Sequence, residues 1–174
     1  RDANKIYGYS AKETSNIMQK LYESHKVLTY PRTDSRYLSS DIVSTLPERL
    51  KACGVGEYRS LANKVLTKPI KANKSFVDDS KVSDHHAIIP TEEYVNFANF
   101  TDKERKIYDL VVKRFLAVLF PAHEFEQLTV HAKIGNEKFI ARGKTVITAG
   151  WKEVYSNRFD DEETNEDVKE QLLP

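Results

Sequence analysis

One cysteine, Cys53, in 174 residues leaves no internal disulfide and no cysteine-built zinc site, which fits a reducing compartment. Its expected part is that of a small packed or surface thiol. No apolar run approaches the length of a membrane span and no signal-like segment opens the sequence, so a cytoplasmic location is expected. Glycine is scarce, with six residues, and none are grouped into a phosphate-cradling loop. No internal repeat and no Asp-x-Asp pair occurs. The adjacent His85 and His86 would point to opposite faces of an extended segment, with no further Cys or His at ligand spacing, so a metal site within these residues is not expected.

Acidic charge outweighs basic charge only at the end. The net charge is only +1, yet seven acidic residues and one lysine fall between Asp160 and Glu170, leaving 26 basic and 19 acidic residues, or +7, over residues 1–158. A body of that sign favours a polyanion, though many unrelated domains share it. The acidic stretch reads as a disordered or linker-like tail.

Apolar content of 40% and 30% charged residues are ordinary for a globular protein of one or two small domains. A first helix ends before Gly8. Ser10 and Glu13 then form a capping-box pattern ahead of Ala11, Thr14, Ile17, Met18, Leu21 and Tyr22 at helical spacing. Lys12, Asn16 and Lys20 read as a solvated face, and His25 as a surface histidine at the helix C-terminus. Ser39, Ser40 and Asp41 cap a helix through Leu46, Pro47 starts further turns ending at Gly54, and a third helix runs over 57–66 until Pro69. Residues 67–84 form a Lys-, Asn- and Ser-rich loop. Thr101 and Glu104 repeat the capping box and open a long helix through Leu119, ended by Pro121. The period then shifts to two (Phe125, Leu128, Val130, Ala132, then Phe139, Ala141 and Val146), with Gly135-Asn136 as the turn of a hairpin.

Chemistry concentrates in Tyr30-Pro31-Arg32. A phenol titrates near pH 10, so a tyrosine nucleophile needs help from its neighbours. Pro31 stiffens the segment and biases it away from helix. In an extended chain Arg32 falls on the same side as Tyr30, where its donor fork fits two phosphate oxygens. Asp34, Ser35 and Arg36 contact a sugar-phosphate backbone or close a loop. By itself the triplet is a weak signal, since a tyrosine beside a proline is commonly a half-buried aromatic at a turn.

The wider stretch decides more. Tyr7-Gly8-Tyr9-Ser10-Ala11-Lys12-Glu13-Thr14, Leu21-Tyr22-Glu23 and Tyr30-Pro31-Arg32-Thr33-Asp34-Ser35-Arg36-Tyr37-Leu38 are followed by His85-His86-Ala87-Ile88-Ile89-Pro90-Thr91. Ala141-Arg142-Gly143-Lys144-Thr145-Val146 and Gly150-Trp151 then complete the series. In this order the blocks resemble type IA DNA topoisomerases, and within them the bacterial topoisomerase III branch.

That resemblance implies an α+β chain: a mainly helical tyrosine-bearing domain over 1–122, a small antiparallel β segment over 123–156 returning into a gate-arch domain where Trp151 packs, and an acidic linker over 157–174. It implies a monomer that breaks single-stranded DNA, passes another strand and reseals without ATP, in relaxation or decatenation. Tyr30 would take the 5′ phosphate, Arg32 would bind the scissile phosphate, and His85 would assist beside it. His86 joins Asp34, Ser35 and Arg36 as expected DNA contacts. Mg2+ would be held by an acidic cluster in an N-terminal domain absent from these residues, so the fragment alone is expected to fold but not to relax DNA. Two other readings stay open: a non-catalytic DNA-binding module in which Tyr30 stacks on a base, and a recombinase-like tyrosine enzyme with a 3′ linkage.

Overall fold

The computed structural model describes residues 1–121, 124–148 and 150–155. They divide into two compact units, the first running from Arg1 to Leu119 and the second beginning at Phe120. The acidic tail expected over 157–174 lies outside the described residues.

The first unit is helical. α1 (Asp2–Tyr7) stops at Gly8, whose φ of 71° is the left-handed cap that glycine adopts without penalty. α2 (Ala11–Glu23) starts on Ser10, whose hydroxyl accepts the Glu13 N–H at 3.1 Å. Only half of the expected capping box forms, because the Glu13 carboxylate pairs with Lys103 instead. A 3₁₀ segment (Ser40–Thr45), rather than an α-helix, leads into α3 (Leu46–Cys53), where Pro47 fills a first-turn position that has no N–H to satisfy. α4 (Arg59–Leu66) follows a short 3₁₀ turn, Gly56–Tyr58. The long α5 (Asp102–Leu119) buries Ile107, Tyr108, Val112, Phe115 and Leu116, the stripe that its period requires.

α5 packs on α2, α4 and α1, and α3 on α4. Tyr58, Phe97, Phe100 and Tyr108 join by edge-to-face contacts at centroid distances of 5.6–6.5 Å, a geometry that aligns the positive edge of one ring with the negative face of the next. The Tyr58 hydroxyl donates to Asp109 at 2.6 Å. Burial first, and then that carboxylate, push its phenol well above the ordinary tyrosine range. Cys53 is fully buried, as a packed thiol, and burial pushes it up to about 12.

His25 is not the surface histidine that its place at a helix end suggests. Its ring meets the Glu104 carboxylate at 2.5 Å and packs on Phe100 at 4.6 Å. Glu104 is the buried charged residue of the described chain, 3% exposed. Its N–H donates to the Thr101 hydroxyl at 3.2 Å, as a capping box would have it, but its side chain turns inward. An anion so placed is tolerable only with a partner, and His25, with Lys20 at 3.8 Å, provides it.

In the second unit, β1 (Glu124–Ile134) and β2 (Glu137–Thr148) form an antiparallel ribbon turning at Gly135-Asn136, with Gly135 at φ 62°. The fold class is therefore α+β, as expected. Alternation along β1 and β2 implies a half-buried pair, but Leu128, Val130, Ile134 and Phe139 are all exposed.

Candidate active site

The tyrosine segment leaves α2 through Lys26, a non-glycine residue at φ 57°, which turns the chain sharply. Val27 and Leu28 bury their side chains and so anchor the start of the segment that carries Tyr30. Residues 27–29 pair antiparallel with 89–91. Thr29 donates its N–H to the Ile89 carbonyl at 3.0 Å, Thr91 donates to the Val27 carbonyl at 3.0 Å, and Leu28 bridges Pro90. Threonine hydroxyls reinforce the seam, since Thr29 accepts the Ile89 N–H at 3.0 Å and Thr91 donates to the Lys26 carbonyl at 2.6 Å.

Further along, Thr33 donates to the His85 carbonyl at 3.0 Å, and Ala87 donates its N–H to the Tyr37 carbonyl at 2.9 Å. Leu38 then bridges Val77 in parallel. The blocks around Tyr30 and His85, more than fifty residues apart in sequence, are thus laid side by side by backbone bonds and threonine hydroxyls.

The result is an aromatic group of three. Tyr30 and His85 lie with ring centroids 4.2 Å apart and planes at 34°, while Tyr22 from the last turn of α2 meets Tyr30 edge-on at 5.4 Å. Tyr30 is half-buried between them and His85 is exposed. The Tyr30 hydroxyl makes no hydrogen bond among the described residues and, unlike that of Tyr108, is not closed off in the interior.

Arg32 is exposed, with no hydrogen bond or ion pair among the described residues, and the same holds for Asp34 and Arg36. Ser35 turns its hydroxyl inward, donating to the Lys81 carbonyl at 2.8 Å and accepting the Tyr37 N–H at 3.1 Å, a loop-closing part rather than a free contact. His86 is half-buried, its Nδ1 2.7 Å from the Ala87 carbonyl. The nearby Asp41 carboxyl is held below its ordinary value first by the Ser39 hydroxyl, with His86 a smaller contributor.

Tyr22, Thr29, Thr33 and Lys81 belong to this neighbourhood too, although their residue types do not single them out. Tyr22 sits in the helical stripe and reads as core. Lys81 Nζ lies 3.2 Å from the Tyr37 hydroxyl and 3.6 Å from Asp78; these partners, Tyr37 first, raise its pKa. Among the described residues no three His, Cys, Asp or Glu side chains gather as metal ligands.

A phenol can attack a phosphate, and an imidazole and an exposed guanidinium can bind one. Comparison with known proteins gives the family. A family model described as DNA topoisomerase matches residues 1–172. The DNA topoisomerase 3 proteins of Bacillus thuringiensis (strain Al Hakam) and Bacillus anthracis are each 83% identical over all 174 residues, and that of Bacillus subtilis (strain 168) is 56% identical over the same span. The chain belongs to the type IA DNA topoisomerase family. It spans 24% of the length of each of those relatives, so this topoisomerase segment carries only a part of what such proteins contain. No helix among its described residues is long and apolar enough to cross a membrane.

Proposed function

We propose that Tyr30 is the nucleophile of a DNA strand-passing enzyme. Its hydroxyl oxygen attacks a phosphodiester of single-stranded DNA, forming an Oη–P bond as the P–O3′ bond breaks. The 5′ phosphate stays on the tyrosine, and the departing 3′ oxygen ends as a hydroxyl. One ester replaces another, so the reverse attack by that hydroxyl reseals the strand without a nucleotide cofactor, after a second strand has passed in relaxation or decatenation.

Arg32 and His85 bind the scissile phosphate and offset the charge of the pentacoordinate state. Asp34, Arg36, His86 and Ser35 line the path of the flanking backbone, Ser35 chiefly by holding its shape. Residues 1–122 serve as the tyrosine domain and 123–156 as the return into a gate arch, followed by an acidic linker. Mg2+ would be held by acidic side chains in another part of the protein, where it would help to position and neutralise the DNA phosphates; among the described residues no three His, Cys, Asp or Glu side chains gather as ligands. The working protein is a monomer acting on DNA at the nucleoid, and these 174 residues alone do not relax supercoiled DNA.

The observation that carries the reading is the 4.2 Å packing of the Tyr30 and His85 rings, with the Tyr30 hydroxyl free of hydrogen bonds among the described residues. Tyr30→Phe in the intact protein tests it. Covalent DNA–protein adduct should vanish while noncovalent single-strand binding stays within about twofold, since phenylalanine retains the ring. An adduct surviving the change, or function surviving as for a stacking residue, would refute it. An adduct carrying the 3′ phosphate would move the protein to the recombinase-like class.

A further inference from the structure

Once the seam has brought Tyr30 to the site, two side-chain torsions still aim its hydroxyl, and no hydrogen bond to that hydroxyl among the described residues holds them. What packs against the ring decides its direction. Two rings do so: His85 at 4.2 Å with planes at 34°, and Tyr22 at 5.4 Å with planes at 84°.

These neighbours are anchored differently. His85 is exposed on a segment outside any helix or strand, and in the function proposed above it serves the scissile phosphate. Tyr22 stands on the last turn of α2, next to the fully buried Leu21. α2 packs along α5 and is tied to it just past its end by the His25–Glu104 pair. A side chain that answers to a ligand restrains a ring poorly; a half-buried ring on a packed helix restrains it well. The Tyr22 hydroxyl has no hydrogen bond among the described residues and is not sealed in the interior, so the ring and not the oxygen makes the contact.

We propose that Tyr22 is a positioning residue for strand cleavage: its ring sets the direction of the Tyr30 side chain, so that the hydroxyl stands ready before DNA arrives. The inference rests on the role given to Tyr30 above. An edge-to-face pair favours its own geometry by about two- to tenfold, and a misplacement of about 1 Å at a reacting centre costs up to about a hundredfold in rate. Acting through the Tyr30 ring alone, Tyr22 lowers the barrier equally for cutting and resealing. The balance between cut and sealed strand is left where it was.

The test is Tyr22→Leu and Tyr22→Met in the intact protein, which keep an apolar side chain in the helical stripe without an aromatic edge, beside Tyr22→Phe, which keeps the ring. With saturating single-stranded oligonucleotide, adduct formation by the first two should slow about tenfold, and resealing by the same factor. Single-strand affinity should stay within about twofold, which also shows that the variants fold, and Tyr22→Phe should match the parent in every respect. A fluorotyrosine label reads the contact without any reaction: the Tyr30 resonance, identified by its loss in Tyr30→Phe, should shift in Tyr22→Leu as the neighbouring ring is removed. Parent rates in both Leu and Met variants would overturn the proposal, as would an affinity loss equal to the rate loss, which would make Tyr22 a DNA contact, or a Phe variant as slow as Leu, which would put the hydroxyl to work. A parent protein that forms no adduct at all would instead count against the function assigned to Tyr30. The fluorine signal would then judge the restraint by itself, and an unmoved Tyr30 resonance would refute it.

Discussion

Thr29 and Ile89 are joined twice. The Thr29 N–H reaches the Ile89 carbonyl at 3.0 Å, and the Thr29 hydroxyl accepts the Ile89 N–H at 3.0 Å. This fixes the residue before Tyr30 against the segment that carries His85, so backbone bonds hold the two rings in place.

Thr29→Val keeps the shape and removes the acceptor. The N–H of the buried Ile89 then loses its partner, which costs about 1–3 kcal/mol. Urea unfolding should show a lower midpoint, and adduct formation in the intact protein should slow while single-strand affinity changes little. Equal losses of affinity and adduct would mean that Thr29 touches DNA instead of positioning Tyr30.

What the sequence made legible is what is local. Ser10 capping α2, Gly8 ending α1 and Gly135-Asn136 turning the ribbon are each decided within four residues. Glu104 obeys the same grammar only by half. Its backbone takes the Thr101 cap, but its carboxylate answers to His25, 79 residues away, which no spacing rule reports. The seam between 27–29 and 89–91 is equally non-local: it consists of backbone bonds and threonine hydroxyls that carry no periodicity. Tyr30 and His85 could be named from their motifs, but their 4.2 Å contact could not. The exposed apolar face of the ribbon departs from the pattern for another reason. Alternation tells which residues share a face, not whether a second layer covers it.

Glu104→Ala should be among the most destabilising single changes in the helical unit. Removing one member of a buried pair strands the other and costs about 3–5 kcal/mol, and here it also unties the end of α2 from the start of α5. A His25→Ala, Glu104→Ala double-mutant cycle in denaturant should return a coupling well above that of an exposed ion pair. Near-additive losses would show the two side chains to be independent.

Cys53 gives a pH signature. Its thiol is pushed up to about 12 by burial, from an ordinary value of 9.0. Below pH 9 both folded and unfolded chains keep the proton, so stability is unaffected. Above it the unfolded chain releases the proton and the folded one does not, and each further unit favours unfolding about tenfold through this group. Stability should therefore fall as pH rises above about 9, and Cys53→Ala should remove the fall between about 9 and 10, before the buried phenols of Tyr58 and Tyr108, also pushed up by burial, add their own. At pH 8 a maleimide should label the thiol only after denaturation; rapid labelling of native protein would contradict the burial.

Arg32→Lys separates a fork from a point charge. The Arg32 guanidinium is exposed and unpaired among the described residues, so folding stability should be unchanged within about 0.5 kcal/mol. A lysine keeps the charge but not the two parallel donors that match a phosphate, and removal of one preorganised transition-state donor typically costs 10²–10³ in rate. Adduct formation by the intact protein should drop by about that factor, with single-strand affinity reduced only a few-fold, because the ground-state phosphate still finds a cation nearby. Should lysine support adduct formation at the parent rate, Arg32 would be a general backbone contact, and the charge of the pentacoordinate state would have to be met by His85 and by groups outside this chain.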